Sequence, residues 1–321
     1  MTVQIYKSTD SGAPVLSGQF GKLTDLLDAC LVNGYGSKSA AGWSIAYTAS
    51  NKRSYRMATG SSTGYYLNVQ DNTPGGSYGA QEALITGFKT MSAIDTGTGQ
   101  FPTYTQSSFY SSGLGGLLVR KSLTADATAR PWVLLADGTV FYLFVETGDT
   151  TGETRNCSFG DIYAYGPGDA NACLITGQTS TGGSSSYQYT AGIINSYPLT
   201  TTLAGNYMAD TWTGLSGSIL VGKCTDYQKG GQNTCCGSSS QISYPNGPDN
   251  ALLMAPIFVY HNGSIRGYMK GLWNPLYNRP IAHGNTFSGT GNMSGKTFLA
   301  QYCSGQGVPG ELIAETSNTW S

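Results

Sequence analysis

The 321 residues are enough for one large β domain, or two to three smaller ones, with a sizeable buried core. Only 11% are Asp, Glu, Lys or Arg, and 17 basic against 18 acidic residues leave a formal net charge of -1, where an average soluble domain carries about 25% charged residues. That balance excludes the basic stripe of an electrostatically driven nucleic-acid binder, and because a lone subunit with so little charge tends to self-associate, a surface covered by partners in an assembly is expected.

The start, "MTVQIYKSTDSGAP", lacks a basic region followed by an apolar run, and no stretch approaches the ~18 apolar residues of a membrane span. The expectation is synthesis in a cytoplasm without a secretion leader, and no membrane partner. "GKLTDLLDACLVNGYG" predicts one short helix over about 21–33. Leu23, Leu26, Leu27, Cys30 and Leu31 fall on one face, and Asn33-Gly34 supplies a stop.

Beyond the helix, 45 Gly and 22 Tyr with abundant Ser and Thr predict strands and turns. The fold class is mainly β, built of β-sandwich or barrel-like modules. "GWSIAYTASNKRSYRM" (42–57) outlines a hairpin with a longer turn. "PWVLLADGTVFYLFVE" (131–146) places two apolar runs around Asp137-Gly138, the signature of a type I′ hairpin, and "PIFVYHNGSIRGYM" (256–269) repeats it around Asn262-Gly263. "ALITG" at 83–87 returns as "CLITG" at 173–177, an offset of 90, and Trp43 and Trp132 are offset by 89. A duplication would give similar units at about 35–105 and 115–185, with "YYLNVQD" matched to "FYLFVET" and "TGETRNCSFGDIYAYGPG" as an insertion. Chance recurrence of short β motifs is the other reading. The polar connector 178–190 sets a boundary near 185 between an N-terminal β region (1–185) and a C-terminal one (186–321). The latter holds a second Gly/Ser/Asn-rich stretch whose cysteine-bearing loop is 228–240.

Titratable groups offer little chemistry. His261 falls in a hairpin turn and His283 precedes a Gly where it orients a loop. No G-x-S-x-G, P-loop or H-E-x-x-H pattern occurs. Asp25 and Asp28 read as the solvated side of the helix. Asp161 and Asp169 sit in a loop without the acidic density of a Ca²⁺ site. The cysteine spacing lacks the paired short intervals of a zinc site. The expectation is a non-enzymatic chain with no metal and no cofactor.

The seven cysteines therefore point to redox chemistry or to none. Cys30 and Cys173 read as small core residues. Cys157, Cys224, Cys235, Cys236 and Cys303 lie in or beside polar, Gly-rich segments and are the cross-link candidates. Reduced thiols are the cytoplasmic default, and oxidation becomes available to a protein that works after cell lysis. An odd count leaves at least one cysteine over, as an intermolecular bridge or a reactive thiol, with Cys235 or Cys236 the foremost candidates to reach another chain.

Three phrases resemble the virion structural proteins of tailed bacteriophages. They are "SGAPVLSGQFGKLTDLLDACLVNGYGSKSAAGW", "LTADATARPWVLLADGTVFYLFVET" with "FGDIYAYGPGDANACLITG", and "GYMKGLWNPLYNRPIAHGN". The resemblance implies a particle component made in the host cytoplasm and located in the virion, and it brings no catalytic residue. The expected function is a structural protein of the head–tail neck, such as a collar, or a capsid decoration. Its partners would be copies of itself and other virion proteins of the neck, tail sheath or capsid. The alternative is a carbohydrate- or receptor-binding tail module, with Trp212, Trp273, Tyr277, Tyr187 and Tyr189 stacking on sugars. A depolymerase is the third reading, weakened by the shortage of paired titratable groups.

Overall fold

The computed structural model describes residues 2–60, 62–71, 79–103, 115–148, 152, 154–178, 192–193, 205–215, 217–224, 252–261, 264–275, 280–305 and 308–320. Strands follow one another almost throughout. After β1 (Gln4–Lys7) and helix α1 (Lys22–Leu27) comes a meander of β2 (Ser44–Ala49), β3 (Lys52–Arg56), β4 (Tyr66–Gln70) and β5 (Glu82–Phe88). A small hairpin, β6 (Thr90–Ala93) and β7 (Thr96–Thr98), leads to β8 (Leu117–Arg120). A second meander runs through β9 (Trp132–Ala136), β10 (Val140–Val145), β11 (Arg155–Asp161), the short β12 (Tyr163–Ala164) and β13 (Cys173–Thr176). Next are β14 (Asn206–Met208), β15 (Ile219–Leu220), β16 (Gly222–Cys224), β17 (Met254–His261), β18 (Ser264–Pro275), β19 (Thr286–Ser288), β20 (Thr297–Gly305) and β21 (Val308–Glu315).

Among the described residues these strands form three stacked antiparallel sheets and the separate β6–β7 hairpin. The outer sheet has the order β2-β3-β4-β5-β8, the central one β1-β9-β10-β11-β13-β14-β15, and the third β16-β17-β18-β21-β20-β19 with β12 paired to β18. The central sheet is covered on both faces, which is why β10 reads as the unbroken apolar run VFYLFV and is buried throughout. Phe141, Leu143 and Val145 face the outer sheet, joining Leu67, Val69, Ala83, Ile85, Leu117 and the helix residues Leu23, Leu26 and Leu27. Val140, Tyr142 and Phe144 face the third sheet and meet Ile257, Val259, Met269, Leu272 and Leu312. Period-two alternation thus serves two cores at once.

The predicted helix covers its expected span with a change of pitch. α1 passes into a π-helical turn over Asp28–Asn33, where Gly34 N–H bonds the Ala29 carbonyl at 2.8 Å. All five predicted apolar positions are buried. The helix lacks a capping side chain of its own, and Asp71 at the end of β4 fills that role, accepting from Leu23 N–H at 2.6 Å. Asp71 and Lys121 form a fully buried ion pair, and Lys121 also donates to the Gln19 carbonyl at 2.6 Å.

The hairpin at Asp137 forms, but its turn is not type I′, because Gly138 and Thr139 both lack positive φ. The Asp137 carboxylate holds the turn instead, accepting from the Thr139 N–H at 2.6 Å, the Thr139 hydroxyl at 2.8 Å and the Val140 N–H at 3.0 Å. Its carbonyl accepts from the Trp43 indole at 2.7 Å, joining the outer and central sheets.

Strands of those two sheets correspond in order, pairing and facing: β2, β3, β4, β5 and β8 answer to β9, β10, β11, β13 and β14. Ala83 and Ile85 enter the shared core as Cys173 and Ile175 do. Leu84 turns away to meet Leu118, whereas Leu174 turns to the other core with Met208. In this correspondence "YYLNVQD" belongs with β11 rather than with "FYLFVET", so the segment expected to be an insertion contains a matched strand. Strand pairing also crosses the expected boundary near 185, since β13 bonds β14. The outer sheet ends on β8 and the central sheet on β14 and β15, strands from further along the chain.

Candidate functional site

A cleft of about 540 Å³ opens where the third sheet meets the loops that follow β12 and β14. A volume in this range suits a small ligand rather than a single water or ion. Its floor is Arg266 on β18, whose guanidinium donates to both Asp169 oxygens, Nε at 2.8 Å and Nη2 at 2.9 Å, while Nη1 donates to the Asp210 carbonyl. Asp169 also accepts from Asn171 N–H at 3.0 Å, and the Asp210 carboxylate pairs with Lys89. A planar fork on a carboxylate fixes both groups before any ligand arrives. Three of the five Arg266 N–H donors are used in these bonds.

The rim is a compact loop over Thr211–Leu215. Gly214 N–H bonds the Thr211 carbonyl at 2.9 Å, Leu215 N–H reaches the Thr211 hydroxyl at 3.4 Å, and the Thr211 and Thr213 hydroxyls share a hydrogen at 3.0 Å. Gly214 has φ +73, a conformation that favours glycine. The tight loop forces Trp212 outward to 69% exposure and Leu215 to 86%. His261, the last residue of β17, lines the opposite wall beside Ser264 and Ile265. Burial and the Arg266 charge lower the His261 pKa, which favours the neutral imidazole. Its ring takes no hydrogen bond among the described residues. Tyr165 N–H bonds the Arg266 carbonyl at 2.9 Å, bringing up a ridge in which Tyr163 stacks on Tyr268 at 5.2 Å and Tyr165 tilts against it at 5.8 Å.

A second cleft, of about 320 Å³, lies by Lys7, Glu146 and His283. His283 Nδ1 accepts from Tyr302 N–H at 3.0 Å, leaving Nε2–H directed at Glu146 Oε1, 3.3 Å away. One imidazole nitrogen holds the segment before β19 on β20 and the other ties it to Glu146 at the end of β10, a structural use of the residue.

The sequence-derived residues divide sharply. Trp212 is displayed as expected for a stacking residue, but Trp273 is not. It is 8% exposed and packs with Phe298, Ala300 and Ile313, so it is corrected to a core residue. Tyr187, Tyr189 and Tyr277 lie outside the described residues. Among the cross-link candidates, Cys157 and Cys303 are corrected to buried thiols outside any disulfide, whereas Cys30 and Cys173 are buried as expected. Cys157 sits in β11 facing the first core, where desolvation pushes its pKa up to about 12. Cys303 sits in β20 facing the second core. Both were assigned from polar neighbours, yet in a strand those neighbours point to the opposite face. Cys224 closes β16, its side chain outside the described set, and Cys235 and Cys236 lie outside it altogether.

Arg266 and Asp169, 97 positions apart, carried no sequence signal as a pair. The T-W-T-G-L pattern at 211–215 did hold a legible cue, a turn glycine two residues after an aromatic. Among the described residues no cluster of His, Cys, Asp and Glu is arranged to hold a metal, and no helix is long and apolar enough to cross a membrane. The architecture defines an antiparallel, multi-sheet β protein of the sandwich kind with an aromatic-rimmed surface cleft. Compared with known families and curated proteins, the chain matches no family model and no curated sequence.

Proposed function

We propose that this chain is a non-enzymatic structural subunit of a tailed-bacteriophage particle, a collar component of the neck in preference to a capsid decoration, acting through protein–protein contacts. One observation carries the reading. Val15, Phe20 and Leu123 are 56%, 44% and 42% exposed, and all three belong to the phrases that resemble virion proteins. Their two loops are held together. Arg130 N–H bonds the Leu16 carbonyl at 2.9 Å, and Gly18 lies so close to Thr124 that a Cβ would meet its carbonyl oxygen at 1.8 Å. Exposed apolar side chains on two loops that are bonded to each other suit a partner better than water. The low charge of the chain agrees with this, and a patch that met a different surface of the next copy would close a ring.

Bridges between subunits through Cys224, Cys235 or Cys236 would add covalent resistance to dissociation. The test is native mass spectrometry of the purified chain alongside particle reconstruction. A multimer is expected that Val15→Ser/Phe20→Ser/Leu123→Ser dissolves without lowering the thermal midpoint of the monomer. A wild-type chain that stays monomeric, or density for it at a fibre tip, rejects the reading. On non-reducing gels of particles, a band at monomer mass alone rejects the bridges.

A further inference from the structure

We propose that the Trp212 cleft is a binding site for a neutral saccharide. The inference does not depend on where the subunit sits in a particle. Sugar recognition needs a flat aromatic surface for the C–H face of a pyranose and rigid planar polar groups for its hydroxyls, and the cleft has both. The Trp212 indole stands 69% exposed on the Thr211–Leu215 loop, beside Leu215, the most exposed large aliphatic side chain among the described residues. An indole held open to water is stabilised by an apolar, weakly hydrated face laid over it.

The polar groups are set for hydroxyls rather than for charge. Arg266 is neutralised by the two-pronged contact with Asp169, and that pair is itself buried, with side chains 6% and 1% exposed. The cleft therefore offers no net charge to an anion or a cation. Among the described residues, two Arg266 N–H donors remain after its bonds to Asp169 and Asp210. The neutral His261 adds one donor and one acceptor, and the Thr211 and Thr213 hydroxyls line the rim. Donors and acceptors together, with Arg266 fixed by Asp169, match vicinal hydroxyls, each of which gives and takes a hydrogen bond. The stacked Tyr163, Tyr268 and Tyr165 continue the aromatic surface past the Arg266 strand, which suits an oligosaccharide rather than a single ring. A protein partner would be served by a broader apolar face than Trp212, Leu215 and Ile265 alone, and the fixed Arg266–Asp169 pair would add little to it.

The test uses the full chain, fluorescently labelled, on an array of neutral and acidic oligosaccharides, with titration calorimetry of any neutral hit. Binding to one or more neutral oligosaccharides of two to four rings is expected. Trp212→Ala should weaken it about tenfold or more while leaving the unfolding midpoint in place, because the side chain packs mainly against solvent. His261→Gln should weaken it less, since the amide keeps a donor and an acceptor. Absence of neutral-sugar binding across the array, binding restricted to acidic sugars, or binding indifferent to Trp212→Ala overturns the proposal. Loss of self-association in Trp212→Ala without any sugar binding assigns the cleft to a second copy of the chain and equally overturns it.

Discussion

Replacing Lys121 by Met removes the cation from a pair in which both members are fully buried. The two groups tie three segments together, because Asp71 caps α1 through Leu23 N–H and Lys121 holds the Gln19 carbonyl. Burial pushes each towards its neutral form, the Asp71 carboxyl up to about 6 and the Lys121 ammonium down, and their contact opposes both shifts. Stranding one member of such a pair costs about 3–5 kcal/mol. The pH dependence follows from the sign of the Asp71 shift. Its folded pKa lies above the unfolded value of about 3.9, so the native state binds the proton more tightly. The associated stability is complete below the unfolded value and is lost as pH rises through the folded one, a window of about 4 to 6 in the native protein. Without Lys121 the folded pKa climbs further and the window extends upward, so Lys121→Met should be more destabilising at pH 8 than at pH 5. Asp71→Asn/Lys121→Met removes both charges yet keeps an oxygen acceptor for Leu23 N–H, and should recover at least half of the loss. Urea unfolding followed by tryptophan fluorescence at the two pH values measures all of this. A single variant within about 1 kcal/mol of wild type at pH 8, or equally destabilised at both, would refute a dry ion pair.

Two further expectations concern the cores. A Cβ on Gly87 would lie 2.4 Å from the ring of Phe101, a side chain with no exposure, so Gly87→Ala should cost about 1–3 kcal/mol in thermal or chemical unfolding. An unchanged midpoint would mean that Phe101 is not seated on that glycine. For the thiols, four of the seven cysteines are buried, so a thiol reagent under native conditions and after reduction should titrate no more than three. Mass spectrometry should find the label on Cys224, Cys235 or Cys236. Rapid native labelling of Cys157 or Cys303 would contradict their placement.

The helix was readable because five apolar residues at helical spacing need only one covering face, and α1 with its π turn supplies that face to a single core. The hairpin at Asp137 was readable too, as two apolar runs around a turn residue. Its turn type was not, since the Asp137 carboxylate satisfies three donors that a backbone-only rule leaves out of account. The repeated "LITG" segments pointed to corresponding strands, but the correspondence of β4 to β11 emerged only from sheet order. For the cleft, Trp212 stood out as a large aromatic in a polar stretch. Arg266, Asp169 and His261 did not, because what unites them is a meeting of loops with the end of a hairpin.

Cys157 and Trp273 mark where local reading ends. By itself the sequence determined the locally patterned elements: the hairpins within 42–57, 131–146 and 256–269 and the span of the α1 helix, all set by backbone geometry within a few positions. The tertiary structure decided what covers each face. Alternation along β11 places Cys157 opposite Asn156 and Ser158 whatever surrounds it, but the sheet lying over Cys157 comes from residues 44–120, and the second core is closed by Ile257, Val259, Met269, Leu272 and Leu312, all from after 250. Trp273 is buried because Phe298 and Ile313 fold over it, and Trp212 is exposed because the described structure leaves it uncovered. Burial depends on contacts between distant segments, which no local pattern encodes.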